Sequence, residues 1–312
     1  MQLVRRGIRD STKRTYVSAQ SQFRQFCECF KLCPLPVSEV TLLLYITSLY
    51  QKGLSHATIM VYLAGIRNLQ IEAGFGEPNV SCPQVKQALR AVKEWGPQPV
   101  KKSPIKLQLL LEMWQLLRGH VHSVMWRAVL ALAFFGGLRG AEYAVTQGSL
   151  GKHPTIDQIS YKSSQGIMIM YFTVKQSKTS AQGMQVPYGC SGHTLCAVCA
   201  VKEYLNVRYE QGPVTLGDPL FLYKGRPLAK SQVDAMVKHL VQQLGLPQEE
   251  YSSHSLRAGV ASSAAEAGFK DWEVQELGGW RSRVYSTYIR DVRLHRALFA
   301  KRLIKHAGKH GS

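Results

Sequence analysis

The chain has 312 residues, 45% of them hydrophobic and 19% charged, which leaves room for about two packed domains and excludes a disordered chain. No apolar run nears the roughly 18 residues of a membrane span, since the longest, 128–138, has 11 residues, and the opening MQLVRRGIRDSTKR lacks the apolar stretch of a secretion signal. The 39 Lys and Arg outnumber the 20 Asp and Glu, giving a formal charge of +19 that both halves of the chain share, as expected if both touch one polyanion.

Composition alone does not separate DNA, RNA and anionic lipid as that polyanion. The excess is sharpest in residues 281–312, which hold nine Lys or Arg and a single acid, Asp291. Seven cysteines in a long chain without a secretion signal point to reduced thiols rather than a disulfide framework.

Residues 11–96 read as four helices and no strands. Ser11 or Thr12 can cap the first, on which Tyr16, Ala19, Phe23, Phe26 and Phe30 recur at helical spacing. The second follows Ser38 and stops at Gly53; the third runs from Ser55 to Gly74. The fourth has Pro83 in its first turn and ends at Trp95 before Gly96 and Pro97. On it Lys86, Arg90 and Lys93 fall at i, i+4 and i+7, a basic stripe suited to a phosphate backbone, though equally the solvated face of an ordinary helix. Lys13 and Arg14 open the first helix with two further cations. The stretch 97–104, rich in proline and lysine, reads as a linker.

The second part begins with helices at 106–117 and 123–135. Strands are expected at 156–161, 167–174 and 184–188, rich in Ile, Val, Tyr and Phe. Helices resume at 194–208, 231–244 and 254–267, with shorter ones beyond. The fold class is therefore mainly α with a small antiparallel β-sheet. Cys190, His193, Cys196 and Cys199 recur every three residues, and Cys196-x-x-Cys199 has the spacing of half a zinc site. Four ligands would have to close on one ion within ten residues, so thiols buried on a helix are the preferred reading, and no metal ligands or cofactors are assigned.

Four features carry chemistry. An apolar helix breaks at Gly136 and Gly137, and Arg139 follows with Glu142 one turn on to brace it. Lys178, in Q-S-K-T-S, falls in the turn between the second and third strands. His254 and Arg257 lie at i and i+3 near a helix N-terminus, where anions bind well. Leu277-Gly278-Gly279-Trp280 precedes Tyr288-Ile289-Arg290. Singly, each is ordinary.

In this order, Arg139, Lys178, His254-x-x-Arg257, Trp280 and Tyr288 resemble the pattern of the tyrosine recombinase/integrase family. The run HSLRAGVASSAAEAGFKDWEVQELGGWRSRVYSTYIR is similar to that family's signature without a gap. Its W-R-S-x-x-Y-x-x-Y-I-R portion looks most like the recombinases of eukaryotic DIRS/Ngaro and Crypton mobile elements. The N-terminal segments STKRTYVSAQSQFRQFC and GLSHATIMVYLAGIRNL resemble the family's core-binding domain, so the likeness spans nearly the whole chain, strongest after Arg139.

The resemblance implies a helical core-binding domain over 1–96, the linker, and a catalytic domain over 105–312 ending in a basic helix. It implies cleavage and rejoining of double-stranded DNA through a 3′-phosphotyrosine, without metal or cofactor. Arg139 and Arg257 would grip the non-bridging phosphate oxygens, His254 and Trp280 would donate further hydrogen bonds, and Lys178 would protonate the 5′-oxygen. Glu142 would orient its neighbours, and Tyr288 would be the nucleophile in preference to Tyr285. Lys175 is the lesser rival of Lys178. Lys13, Arg14, Lys86, Arg90, Lys93 and Arg281 would contact DNA. Leu294, Leu298, Phe299, Leu303 and Ile304 would form an apolar helix face docking on a neighbouring copy, giving a tetramer on two DNA sites, and the mobile-element likeness implies the nucleus. Competing readings are a type IB topoisomerase-like enzyme, a DNA-binding protein derived from a mobile element that no longer cuts, and an RNA- or anionic-surface-binding protein.

Overall fold

The structure, a computed structural model, describes residues 8, 10–98, 101–120, 122–146, 153–175 and 183–279. The chain divides into two compact units, Met1–Val100 and Lys101–Ser312. Among the described residues no helix is long and apolar enough to cross a membrane.

The first unit contains helices α1 (Asp10–Cys29), α2 (Glu39–Gln51), α3 (His56–Glu72) and α4 (Pro83–Trp95). Ser38 and Ser55 cap α2 and α3, their hydroxyls accepting the backbone N–H of Thr41 and Thr58. The first helix already includes Asp10, so it begins before the Ser11 and Thr12 of the sequence reading. The α1 stripe is narrower than its periodicity suggests: Ala19, Phe23 and Phe26 are buried, whereas Phe30 lies past the last turn and is 63% exposed. Phe23 and Phe26 both pack on Tyr45 of α2, ring centroids 5.1 and 5.0 Å apart. Gly65 lets α3 approach α1 closely, since a Cβ there would stand 2.9 Å from that of Ala19. Buried Gln70 accepts the Val37 N–H at 2.7 Å and so ties α3 to the loop before α2.

The second unit begins before the helix α5 (Leu107–Leu116): Ser103 donates its N–H to the Glu250 carbonyl at 2.7 Å and its hydroxyl to the Glu250 carboxylate. At the centre lies α6 (Ser123–Phe135), whose residues 128–134 are all buried. A helix apolar all round must be enclosed by its neighbours. Those neighbours include α8 (Ala197–Glu210) and α10 (Ser253–Glu266). Between α6 and α8 come the short α7 (Gly140–Tyr143) and strands β1 (Ile159–Ser164), β2 (Ile167–Val174) and β3 (Met184–Gly189).

The strands form one antiparallel sheet in the order β1-β2-β3, with Ile159 opposite Phe172 and Val174 opposite Met184. Met170, Phe172 and Val174 of β2 and Val186 and Tyr188 of β3 bury the alternate positions facing the core. One pair of two-residue strands, β4 (Leu222–Tyr223) and β5 (Arg226–Pro227), leads into α9 (Lys230–Gln243), and α11 (Asp271–Leu277) follows α10. The unit is thus a helical body carrying a small sheet, as the composition of its segments implies.

The starts of two elements differ from the sequence reading by three residues. The first strand starts at Ile159 because residues 156–158 form a 3-10 turn, closed by Gln158, whose Oε1 accepts the Thr155 N–H at 2.8 Å. The helix expected from 194 starts at Ala197, and Cys196 is its N-cap in extended conformation.

Candidate active site

The sequence break at Gly136 and Gly137 sets the first catalytic-type side chain. α6 ends at Phe135, and Gly137 adopts φ +53°, a left-handed conformation that favours glycine. A Cβ at Gly137 would also lie 3.1 Å from the Gly278 Cα, so the two glycine pairs of the chain meet back to back. Arg139 then becomes the N-cap of α7. Glu142 folds back on it: one carboxylate oxygen accepts the Arg139 N–H at 2.8 Å and the other accepts from Nη1 at 3.0 Å. The carboxylate is buried while the Arg139 side chain keeps a quarter of its surface exposed. A fork braced on one side by a fixed anion presents its remaining edge in a set direction.

Arg257 enters from α10 and is 2% exposed. It donates through Nη1 to the Gly137 carbonyl and through Nη2 to the Gly278 carbonyl at 2.8 Å. One guanidinium thereby clasps the turn that launches Arg139 and the turn that ends α11. The two arginines are therefore not equivalent: Arg139 stands at the surface and Arg257 underneath it.

His254, on the first turn of the same helix, is exposed. Partial burial of the ring, together with the positive charges of Arg257, Lys230 and Arg139, holds its pKa below the ordinary value and favours the neutral imidazole.

Lys230 was not singled out from the sequence. The bridge between Val145 and Ala229 brings the start of α9 beside α7, where the Lys230 methylenes lie against Gly140. Its Nζ is 2.6 Å from Asp234 Oδ2, and Asp234 Oδ1 accepts the Ser253 N–H at 2.8 Å, next to His254. Burial works to raise the Asp234 pKa, but the bonds from Lys230 and Ser253 outweigh it and hold the carboxyl below its ordinary value. The only sequence signal was the i, i+4 pairing of Lys230 with Asp234, which ordinary surface helices share.

Lys178, Trp280, Arg281, Tyr285 and Tyr288, and the apolar positions from Leu294 to Ile304, lie outside the described residues. The points at which the chain departs toward the first two are close together: Val174 pairs with Met184, and the Met184 side chain lies against Gly279, 3.6 Å from where a Cβ would be. Lys175 is engaged elsewhere, with Nζ 2.9 Å from Asp157 Oδ2 and 3.0 Å from Thr155 Oγ1. In the first unit, Lys86, Arg90 and Lys93 are exposed along α4 opposite buried Val85 and Val92, and Lys13 and Arg14 lie in the first turns of α1.

The sequence profile of the Phage integrase family matches residues 110–291, more than half of the chain and the whole of this site. The chain belongs to the phage integrase family. It is a tyrosine recombinase by that membership. An integrase/recombinase XerD homologue of Selenomonas ruminantium is 26% identical over 266 residues, covering 82% of this chain and 74% of the relative. Among solved structures, the fold is similar to a λ integrase dimer bound to a COC′ core site, with TM-score 0.61 and 18% identity over 93% of this chain and 92% of that one. It is also similar to the XerH recombinase bound to a palindromic difH substrate, with TM-score 0.60 and 18% identity over 86% and 73% of the two chains. A third likeness is to the Tn1549 transposon integrase with its right-end DNA, with TM-score 0.60 and 16% identity over 93% and 92%.

Within this tyrosine recombinase the cysteine arrangement departs from the sequence reading. Cys196 is buried, but Cys190 follows β3 rather than lying on a helix, and Cys199 is exposed on α8. The loop 190–196 folds back so that the three thiols meet instead of dispersing into the core.

Proposed function

We propose that this recombinase cleaves and rejoins duplex DNA at specific sites through a 3′-phosphotyrosyl link at Tyr288. The observation that carries the reading is the Arg257 clasp, which ties the turn that launches Arg139 to the helix that carries His254 and to the turn before Trp280. A phosphodiester under attack gains negative charge, and cations fixed beforehand stabilise that charge without reorganising. Arg139 and Arg257 serve the two non-bridging oxygens, with His254 and Trp280 as added donors.

In the cleavage step the Tyr288 oxygen bonds to phosphorus and the bond from phosphorus to the 5′-oxygen breaks. Tyr288 gives up its proton to the His254 imidazole as it attacks. Lys178 supplies a proton to the departing 5′-oxygen. Reversal by a 5′-hydroxyl of another duplex completes the exchange. The W-R-S-x-x-Y-x-x-Y-I-R run supports a mobile-element recombinase of the DIRS/Ngaro or Crypton kind, acting in the nucleus as a tetramer on two sites. Lys13, Arg14, Lys86, Arg90, Lys93 and Arg281 supply the non-specific phosphate contacts.

A nicked duplex whose cleaved fragment diffuses away tests this reading. Wild type forms an SDS-resistant adduct in the presence of EDTA, and Tyr288→Phe forms none. Loss of the adduct in Tyr285→Phe together with its retention in Tyr288→Phe overturns the assignment of the nucleophile. Joining two labelled duplexes separates recombination from relaxation of a single duplex.

A further inference from the structure

The sulfurs of Cys190, Cys196 and Cys199 all lie within 4.8 Å of one another. Cys190 Sγ is 3.6 Å from Cys199 Sγ and 3.8 Å from Cys196 Sγ. Zinc holds thiolates at about 2.3 Å in a tetrahedron, which sets the separation between two sulfurs at about 3.8 Å. Both separations match that edge and the third pair lies within 4.8 Å, so one ion can touch all three sulfurs with a modest shift.

His193 stands apart from the trio: its Nδ1 accepts the Leu195 N–H at 3.0 Å and is occupied in shaping the loop. Cys199 also borders a cavity of about 200 Å³, which gives a hydrated ion a way in.

We propose that Cys190, Cys196 and Cys199 bind one zinc ion, with solvent completing the tetrahedron, in a structural site separate from the strand-transfer chemistry. Three thiols lose their protons as three zinc–sulfur bonds form, so loading releases acid. The ion joins the end of β3 to the first turn of α8. The Cys190 N–H continues the ladder to the Met168 carbonyl, and Tyr188, two residues earlier, donates its hydroxyl to the Leu132 carbonyl near the end of α6. The clip therefore steadies the sheet against the helix that delivers Arg139.

The test uses the full chain purified without chelator. Metal analysis of wild type and of Cys29→Ser, which alters an exposed thiol in the first unit, gives about one zinc per chain, and cobalt replacing zinc gives a thiolate-to-cobalt charge-transfer band. Cys199→Ser, at an exposed position, is expected to keep the wild-type circular dichroism spectrum, to lose the band and to bind zinc at least tenfold more weakly; Cys190→Ser behaves alike. Stripping the metal lowers the Tm of wild type and leaves that of Cys199→Ser unchanged. A wild-type chain that carries no zinc and gives no cobalt band overturns the proposal, as does a Cys190–Cys199 disulfide in fresh protein or undiminished binding by Cys199→Ser. None of these readouts depends on DNA cleavage.

Discussion

Arg257 holds the carbonyl of Gly278 at 2.8 Å from Nη2 while its Nη1 holds the carbonyl of Gly137, so a single buried side chain joins segments separated by 141 positions in the sequence. Hydrogen bonds from a charged donor contribute about 1.5–3 kcal/mol each, and a buried carbonyl left without one is penalised. Arg257→Lys retains the charge but reaches one carbonyl at a time. Its expected outcome is a loss of about 2 kcal/mol in urea unfolding, with DNA cleavage falling further than that instability explains.

Arg139 is partly exposed, but its side chain also pairs the buried Glu142 carboxylate, so the stability of each variant is measured beside its activity. Arg139→Ala is expected to retain DNA binding in gel shifts and to lower the cleavage rate about 100- to 1000-fold. Replacing one non-bridging oxygen of the scissile phosphate with a methyl group removes the charge that the arginine neutralises, and the variant recovers activity relative to wild type on that substrate. Glu142→Gln weakens the brace on Arg139 and is expected to cost about 1–3 kcal/mol of stability.

His254 provides a pH test. Its folded-state pKa lies below the ordinary 6.5 through partial burial and the charges of Arg257, Lys230 and Arg139. The unfolded chain therefore takes up this proton first. The stability that the neutral imidazole contributes is complete above about pH 6.5 and falls as the pH drops through that value toward the folded-state pKa. Titration of the ring by NMR shows the depressed value in the free protein, and bound DNA raises it, because a phosphate offsets the surrounding cations. His254→Gln removes this part of the pH dependence.

Much of this was legible in the sequence because it is local. Ser38 and Ser55 mark α2 and α3 through their own caps, and Glu142 braces Arg139 from one turn away. Other features depend on the packed fold. Lys230 joins the site only because Val145 pairs with Ala229, residues that no spacing rule relates. The start of α8 was placed three residues early because the loop before it folds on the meeting of Cys190, Cys196 and Cys199, which periodicity along a helix does not reveal. Ile156 carries strand-forming chemistry, but the Gln158 amide closes a 3-10 turn across it.

Gly136 supports the site through absence of a side chain. A Cβ there would stand 1.9 Å from the Tyr188 hydroxyl oxygen and 2.8 Å from the ring carbon bearing it. Gly136→Ala is expected to destabilise by about 3 kcal/mol, within the range for overpacking a filled core. Tyr188→Phe loses only its bond to the Leu132 carbonyl, about 1 kcal/mol. Combined, the two changes cost less than their sum, since removing the hydroxyl relieves part of the clash; thermal unfolding of the four proteins in a double-mutant cycle measures the difference.

The most direct measurement is the chemical identity of the protein–DNA bond. The adduct trapped on the nicked duplex is digested with protease, and the peptide left on the DNA is sequenced by mass spectrometry. The expected result is a peptide spanning residues 284–290 with the 3′-phosphate esterified to Tyr288. A link to Tyr285, to a serine, or to the 5′ end of the cut strand contradicts the account.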